Sequence, residues 1–267
     1  MQLGCRAAAF HNPGFVTMTL VYILLATFSG GVLSVFAAAT LSLTLLSNLA
    51  HRMVALSVGI LLAVALLDLM PEAAEGLDVK SVGGAILVGI LFFFVLEKTA
   101  LWRHDHVHEN GGHSHETTHS PTGMMIVLGS AMHNFVDGVL VSATFIQDTK
   151  LGLATAIAVV AHEIPHEIGD FIVLLSSGYS RKESLWLNVL AGSAAVLGGI
   201  IGWATLQGVT GAIPYVMALA SASFIYIAVA DLIPELQEHR RPHDFPVQLG
   251  LLLAGIGIIL LGMKLEG

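Results

Sequence analysis

Apolar segments recur along almost the whole chain, and no other feature restricts its fold as strongly. Each segment is about 20 residues long or longer, which suffices to cross roughly 30 Å of hydrocarbon as an α-helix. Of the 267 residues, 55% are hydrophobic and 11% are charged, a balance typical of membrane proteins. Ten-residue segments of alternating hydrophobicity, which indicate a β-barrel, are absent from the sequence. We therefore predict an all-α polytopic membrane protein.

The segments predict eight transmembrane helices in a single domain that covers residues 1–267. The predicted helices cover approximately residues 19–46, 52–74, 81–102, 122–146, 151–178, 184–206, 211–236 and 246–264, with a His-rich cytoplasmic loop at 103–120. If the N-terminus is outside, the inner connections hold seven Lys and Arg residues and the outer regions hold four. This bias predicts that both termini are outside. Residues 1–17 do not resemble a secretory signal, and Met18 is an alternative first residue.

Net charge and cysteine content exclude several classes of partner and site. The formal net charge of −8 argues against nucleic acid as a partner. The single cysteine, Cys5, excludes an intramolecular disulfide and a cysteine-based metal site. The expected partners are therefore the lipid bilayer and the ligand that the polar residues inside the helices bind.

The fifth predicted helix carries five ionisable side chains within residues 162–170. His162 and His166 share one helical face, and Glu163 and Glu167 share the adjacent face. A charged side chain near the bilayer centre costs roughly 2.5–3.5 kcal/mol on insertion scales. Such a cluster is tolerated when its members face one another, water or a bound ion.

The fourth predicted helix supplies a matching polar group. His133 and Asp137 are one turn apart, and a short connection makes helices four and five antiparallel neighbours, so the two polar groups lie level near the midplane. Three imidazoles and one carboxylate from two helices suit a tetrahedral divalent ion such as Zn²⁺. We therefore predict a metal site formed by His133, Asp137, His162 and His166.

Three further polar side chains lie close to these four in the predicted arrangement: Asn134, Glu163 and Glu167. Their positions next to the predicted ligands allow two interpretations. They form a second metal site, or they orient the ligands of the first as hydrogen-bonding partners.

The pattern D-L-x-P-E-x-x-E occurs twice, at residues 68–75 and 231–238. The predicted topology places the two copies at opposite membrane faces, as in inverted-topology repeats. Helices one to three would then repeat as helices six to eight, a 3+2+3 arrangement. Asp68 and Glu72 would line one vestibule, and Asp231 and Glu235 the other, which favours a pathway for cations over a one-sided site.

Six histidines lie in the predicted loop between helices three and four: His104, His106, His108, His113, His115 and His119. Imidazoles at alternate positions can chelate Zn²⁺, Cu²⁺ or Ni²⁺. We interpret this segment as a metal-capture loop, with a purely solubilising loop as the alternative.

Residues 162–166 also read H-E-x-x-H, the signature of zinc metalloproteases. An intramembrane metalloprotease is therefore the alternative function. Pro165 lies inside the motif, where it removes an N–H, releases the carbonyl of Ala161, and should kink or open the helix. That disturbance, together with the acidic motifs at opposite faces, favours a transporter without enzymatic activity and without a cofactor.

The segments H-N-x-x-D-G at 133–138 and H-E-I-P-H-E-I-G-D-F at 162–171 resemble the ZIP (Zrt/Irt-like) family of divalent-metal transporters, in particular its HEIPHE branch. The resemblance implies uptake of Zn²⁺, or of Fe²⁺, Mn²⁺ or Cd²⁺, toward the cytoplasm by a homodimer in the cell (inner) membrane. Some family members hold two metal ions bridged by carboxylates. The corresponding positions here are His166 and, on helix six, Ala194, Ala195 and Val196, so one ion or two remain alternatives.

We expect transport by alternating access. A hydrated metal ion would enter at Asp68 and Glu72, lose water at the midplane site, and leave past Asp231 and Glu235 toward the histidine-rich loop.

Overall fold

The computed structural model describes residues 13–43, 47–109, 121–207, 209–238 and 245–266. These segments are almost entirely helical, and no strand occurs in them. The prediction of an all-α polytopic membrane protein is confirmed.

The described segments form eight successive helices, three of which contain a π-helical turn. Helix α1 comprises Pro13–Phe28, the π turn Ser29–Leu33 and Ser34–Leu43; α2 comprises Ser47–Ala63, the π turn Val64–Leu69 and Met70–Gly76. The next four are α3 (Val79–Glu109), α4 (Pro121–Gln147), α5 (Thr149–Ser176) and α6 (Arg181–Leu206). Helix α7 comprises Ile213–Tyr226, the π turn Ile227–Leu232 and Ile233–Glu238, and α8 is Phe245–Glu266.

Within the described residues, six helical stretches are long and apolar enough to cross a membrane: Thr17–Thr40, Arg52–Gly76, Ile126–Gln147, Arg181–Leu206, Ile213–Leu232 and Phe245–Lys264. Two helices fall outside this group. The apolar part of α3, Val79–Val95, is shorter. Helix α5 carries the ionisable cluster in its centre, which lowers its hydropathy.

Helix α3 extends farther than the sequence predicted. It continues to Glu109, so the backbones of His104, His106 and His108 are helical where a loop was predicted from Arg103. The remaining three predicted loop histidines, His113, His115 and His119, lie outside the described residues.

The turn between α4 and α5 is very short because Asp148 ends one helix and begins the next. Its carboxylate accepts hydrogen bonds from the backbone N–H groups of Lys150 and Leu151, at 2.8 and 3.4 Å. An aspartate at this position satisfies N–H groups that have no partner within the helix. The connection therefore folds α5 back along α4, as the sequence predicted.

Helices α2 and α7 are antiparallel neighbours. Gly76, at the end of α2, packs against the ring of Pro214, at the start of α7. The acidic segments 68–75 and 231–238 therefore lie at opposite ends of this helix pair. The π turns that overlap their first residues, Val64–Leu69 and Ile227–Leu232, are separated by the same offset of 163 residues as the acidic segments themselves.

Small residues bring α4 and α6 into direct backbone contact. Gly138 of α4 lies against the carbonyl of Ala195, and Gly198 of α6 lies against the carbonyl of Phe135. Close approach at small residues is a common way for membrane helices to associate. This contact fixes the position of α4, which carries half of the candidate site.

Candidate metal centre

Four potential ligands converge between α4 and α5. Helix α4 contributes His133 and Asp137, and α5 contributes His162 and Glu163, with one ligand atom of each lying within 4.8 Å of all the others. His162 and Glu163 are 0% exposed and Asp137 is 1% exposed, whereas the His133 side chain is 19% exposed. The group is therefore a buried cluster in which only the side chain of His133 is partly exposed.

Four separations within the cluster are close to those between the ligand atoms of a tetrahedral ion. For Zn–N and Zn–O bonds of about 2.0–2.1 Å, tetrahedral geometry places ligand atoms roughly 3.3 Å apart. His133 Nε2 lies 3.3 Å from His162 Nε2 and 3.3 Å from Glu163 Oε1. His162 Nε2 lies 3.1 Å from Asp137 Oδ2 and 3.5 Å from Glu163 Oε1. The fifth measured separation, between His133 Nε2 and Asp137 Oδ2, is 3.8 Å.

The backbone of α5 orients the imidazole of His162. Its Nδ1 lies 2.9 Å from the carbonyl oxygen of Ala158, one turn earlier, so Nδ1–H donates to this oxygen. The proton therefore resides on Nδ1, and Nε2 presents its lone pair to the cluster, as a neutral imidazole ligand does. Phe224 of α7 packs against the same ring at a centroid distance of 6.1 Å.

Apart from the two imidazoles of the cluster, the described residues offer its carboxylates no hydrogen-bond donor. Both oxygens of Asp137 and both of Glu163 are buried. Buried carboxylates without donors are costly unless a cation or a proton compensates them. Two carboxylates and two neutral imidazoles would balance the charge of one divalent cation.

His166, one of the four predicted ligands, lies outside this cluster, and Glu163 occupies the fourth place. The His166 ring stacks on that of His133 at a centroid distance of 5.3 Å, and its Nδ1 lies 3.7 Å from Asp170 Oδ2. The His166 side chain is 32% exposed, so it lies on the same accessible side as His133.

Asn134 and Glu167 are buried near the cluster but contribute no atom to it. Asn134 Nδ2 donates to the Ser130 carbonyl at 3.1 Å within α4. Glu167 is 0% exposed, and neither of its carboxylate oxygens has a hydrogen-bond partner among the described residues. Asn188 of α6 donates to the backbone carbonyl of Glu167 at 3.4 Å.

The predicted pathway residues lie at the two ends of the α2–α7 pair. Asp68 and Asp231 occupy corresponding positions inside the two π turns, and both are half-buried. Glu72 accepts a hydrogen bond from Gln147 Nε2 at 2.5 Å, which connects α2 to the end of α4. The backbone of Glu235 is helical, and its side chain lies outside the described part of the chain.

Helix α5 is continuous through Pro165, so the predicted opening of the helix does not occur. The carbonyl of Ala161 instead accepts a hydrogen bond from a hydroxyl of another helix. Ser57 Oγ of α2 lies 2.5 Å from this oxygen. The proline thus changes the hydrogen bonding of α5 without ending the helix.

The sequence analysis places Glu163 in a second site or among the hydrogen-bonding partners of the ligands, and it assigns no role to Gln147 or Ser57. Glu163 was assigned to the face next to that of His162. Two consecutive residues of α5 can reach one ion only if α4 lies opposite the line between their two faces. The sequence does not report where α4 lies. The contacts of Gln147 and Ser57 depend on helix packing and have no local sequence signal.

The chain matches known proteins over most of its length. The profile of the family described as "ZIP Zinc transporter" matches residues 14–123 and 103–263. Among curated proteins, "Zinc transporter YKE4" of Saccharomyces cerevisiae is 30% identical over 240 residues, which cover 78% of this chain and 69% of the yeast protein. "Zinc transporter ZIP13" of Pongo abelii is 31% identical over 229 residues, which cover 79% of this chain and 66% of that protein.

Other relatives are much longer than the matched region. "Zinc transporter foi" of Drosophila melanogaster is 38% identical over 156 residues, which cover 58% of this chain and 22% of the fly protein. The chain thus spans about a fifth of this relative's length. The profile match and the yeast relative, together with the helical fold, show that the chain belongs to the ZIP zinc transporter family.

Proposed function

We propose that this protein transports divalent metal cations across a membrane and that Zn²⁺ is its main substrate. The observation that carries the proposal is the cluster of His133, Asp137, His162 and Glu163, whose ligand atoms have tetrahedral spacing. The cluster lies between two helices of an integral membrane protein whose family is a transporter family.

The chemistry of the cluster favours a borderline cation. Two imidazole nitrogens and two carboxylate oxygens suit Zn²⁺, and also accommodate Fe²⁺, Mn²⁺ or Cd²⁺. Mg²⁺ and Ca²⁺ prefer sites built from oxygen atoms only. The buried carboxylates lose their electrostatic penalty when the ion arrives, and this gain supports removal of the ion's water.

Access to the cluster is best supported on the side of His133 and His166. These are the more exposed side chains, at 19% and 32%, and their rings stack. His166 would bind the ion transiently as it enters or leaves the cluster, which retains a role for the fourth predicted ligand. Asn134 and Glu167 lie within the same two helices and would serve a second ion or support the first.

The acidic segments at opposite ends of α2 and α7 support a pathway through the protein. Asp68 and Glu72 would attract cations on one side, and Asp231 and Glu235 would release them on the other, by alternating access. We further propose, from the distribution of Lys and Arg, that both termini are outside. Uptake would then run toward the cytoplasm across the cell membrane, with a homodimer as the working unit.

The metalloprotease interpretation of H-E-x-x-H has no support in the site. In that mechanism both histidines of the motif bind zinc and the glutamate acts as the base. Here Glu163 lies among the ligand atoms and His166 lies outside the cluster. The catalytic base would therefore be a ligand.

The proposal is tested by ⁶⁵Zn uptake into proteoliposomes that contain the purified protein, with unlabelled Zn²⁺, Cd²⁺, Mn²⁺, Mg²⁺ and Ca²⁺ as competitors. We expect saturable uptake that borderline ions inhibit and Mg²⁺ and Ca²⁺ do not. Asp137→Asn should remove it, whereas Thr205→Ala, at an exposed position of α6, should not. Absence of uptake by a folded wild-type protein, or equal inhibition by Mg²⁺, would overturn the proposal.

A further inference from the structure

A buried serine of α2 contacts the backbone of α5 next to the metal centre. Ser57 is 1% exposed, and its Oγ lies 2.5 Å from the carbonyl oxygen of Ala161 and 2.8 Å from that of Met53. The Met53 oxygen lies one turn earlier in the same helix, where the backbone N–H of residue 57 serves as its regular partner. The contact with Ala161 joins two different helices.

The carbonyl of Ala161 needs a donor because of Pro165. In an α-helix the carbonyl of residue 161 accepts the N–H of residue 165, and proline has none. A backbone carbonyl without a donor is strongly unfavourable inside a membrane protein, where water is not available to supply one. The Ser57 hydroxyl supplies the missing donor at the residue directly before His162.

We propose that Ser57 is a positioning residue for the metal centre. By donating to the carbonyl of Ala161, it fixes the rotation of α5 against α2, so that His162 and Glu163 both face α4. The inference rests on the proposed function, because it assigns Ser57 a role toward the metal-binding cluster. Removing a group that holds metal ligands in place through hydrogen bonds typically changes metal affinity roughly 10–100-fold.

A second serine offers a matched control. Ser221 of α7 is also fully buried, and its Oγ donates to the carbonyl of Ala65 in α2 at 2.9 Å. That carbonyl also accepts the backbone N–H of Met70 within the π turn, so it keeps a partner when the hydroxyl is removed. Ser221→Ala therefore deletes an interhelical bond of the same kind that joins α7 to α2 and has no atom of α5 in it.

The test is equilibrium Zn²⁺ binding by the purified full chain, measured by competition with a chelator, in a double-mutant cycle. We expect Ser57→Ala to weaken Zn²⁺ binding about tenfold in the wild-type background. Pro165→Ala restores an N–H at residue 165, so adding Ser57→Ala to it should weaken binding less than about twofold. Ser221→Ala should leave Zn²⁺ affinity unchanged.

Several outcomes would overturn the assignment. These are an unchanged affinity in Ser57→Ala, an equal loss in both proline backgrounds, and an equal loss in Ser221→Ala. If Ser57→Ala does not yield folded protein, rescue of folding by Pro165→Ala supports the bond and failure of rescue contradicts it. A folded wild-type protein that binds no Zn²⁺ would overturn the proposed function as well, which separates the two failures.

Discussion

Helices α4 and α5 each supply one histidine and one carboxylate to the candidate metal centre, but they differ in spacing and in how they are held. Helix α4 presents His133 and Asp137 one turn apart, whereas α5 presents the consecutive residues His162 and Glu163. Helix α4 meets α6 through backbone contacts at glycines, and α5 receives polar hydrogen bonds from Ser57 and Asn188.

The difference indicates that the two helices are positioned in different ways. For α4 its distance from the ion matters, and for α5 its rotation about its own axis matters. Two side chains one turn apart share a face, so α4 needs only the correct distance from the ion. Consecutive side chains point about 100° apart, so both reach one ion only at a defined rotation of α5. Close packing sets a distance, while directional hydrogen bonds set a rotation.

The largest expected effect is the loss of the most constrained ligand. His162→Ala removes a fully buried imidazole whose orientation is fixed by Ala158, and it leaves two carboxylates facing each other. We expect zinc uptake to fall at least about 100-fold, in line with the loss of a metal ligand. The measurement is ⁶⁵Zn uptake at matched protein levels, and near-normal uptake would remove His162 from the centre.

The next prediction compares Glu163, the fourth member of the cluster in the structure, with His166, the fourth ligand predicted from the sequence. Glu163→Gln keeps the shape of the side chain but removes its charge, so we expect zinc affinity to fall about 10–100-fold. His166→Ala should lower the uptake rate with a smaller change in equilibrium affinity, because His166 lies outside the cluster. Titration of both purified variants with Zn²⁺ decides between them, and the reverse order would restore His166 as the fourth ligand.

Acidification should weaken zinc binding and uptake. Ligation requires neutral imidazoles, so protons compete with the ion as the pH falls from about 7.5 to about 5.5. One proton displaced per ion gives about a tenfold decrease per pH unit, so we expect a decrease of up to about 100-fold over the two units. Uptake that stays constant or rises over this interval would contradict metal ligation by neutral histidines.

The start of α3 provides an internal check on that experiment. Hydrogen bonds from Ser81 to Asp78 hold the pKa of this exposed carboxyl below its ordinary value of 3.8. A lowered pKa gives stability that is present above the unfolded value and lost only as the pH falls through the folded one. The cap of α3 therefore stays intact throughout the interval, and unfolding of this end of the helix should not contribute to the change in uptake.

The smallest effect on zinc concerns the packing of α4. A Cβ at Gly138 would collide with the backbone carbonyl of Ala195, whereas Gly129, on the same helix, has open space around it. We expect Gly138→Ala to destabilise the protein by about 1–3 kcal/mol and Gly129→Ala to have little effect. Unfolding in mixed micelles measures both, and equal stability of the two variants would show that α4 and α6 can separate without cost.

Local helix geometry accounts for what could be predicted from the sequence. The spacing of His133 and Asp137, the ionisable residues of α5 and the short turn at Asp148 bring α4 and α5 together as predicted. Glu163 could not be chosen over His166, because that choice depends on the rotation of α5 relative to α4. The bond from Ser57 depends on contact between helices more than 100 residues apart in sequence, and no local pattern reports it.

The π turns of α2 and α7 also change how these helices must be numbered on a helical wheel. A π turn accommodates one extra residue, which shifts every later side chain by about 100° relative to a continuous α-helix. A wheel drawn straight through α2 therefore places Glu72 on the wrong azimuth relative to Ser57, and the same error recurs at the corresponding position of α7. Deleting one residue within either turn would therefore regularise the helix and leave its acidic end at about its present azimuth.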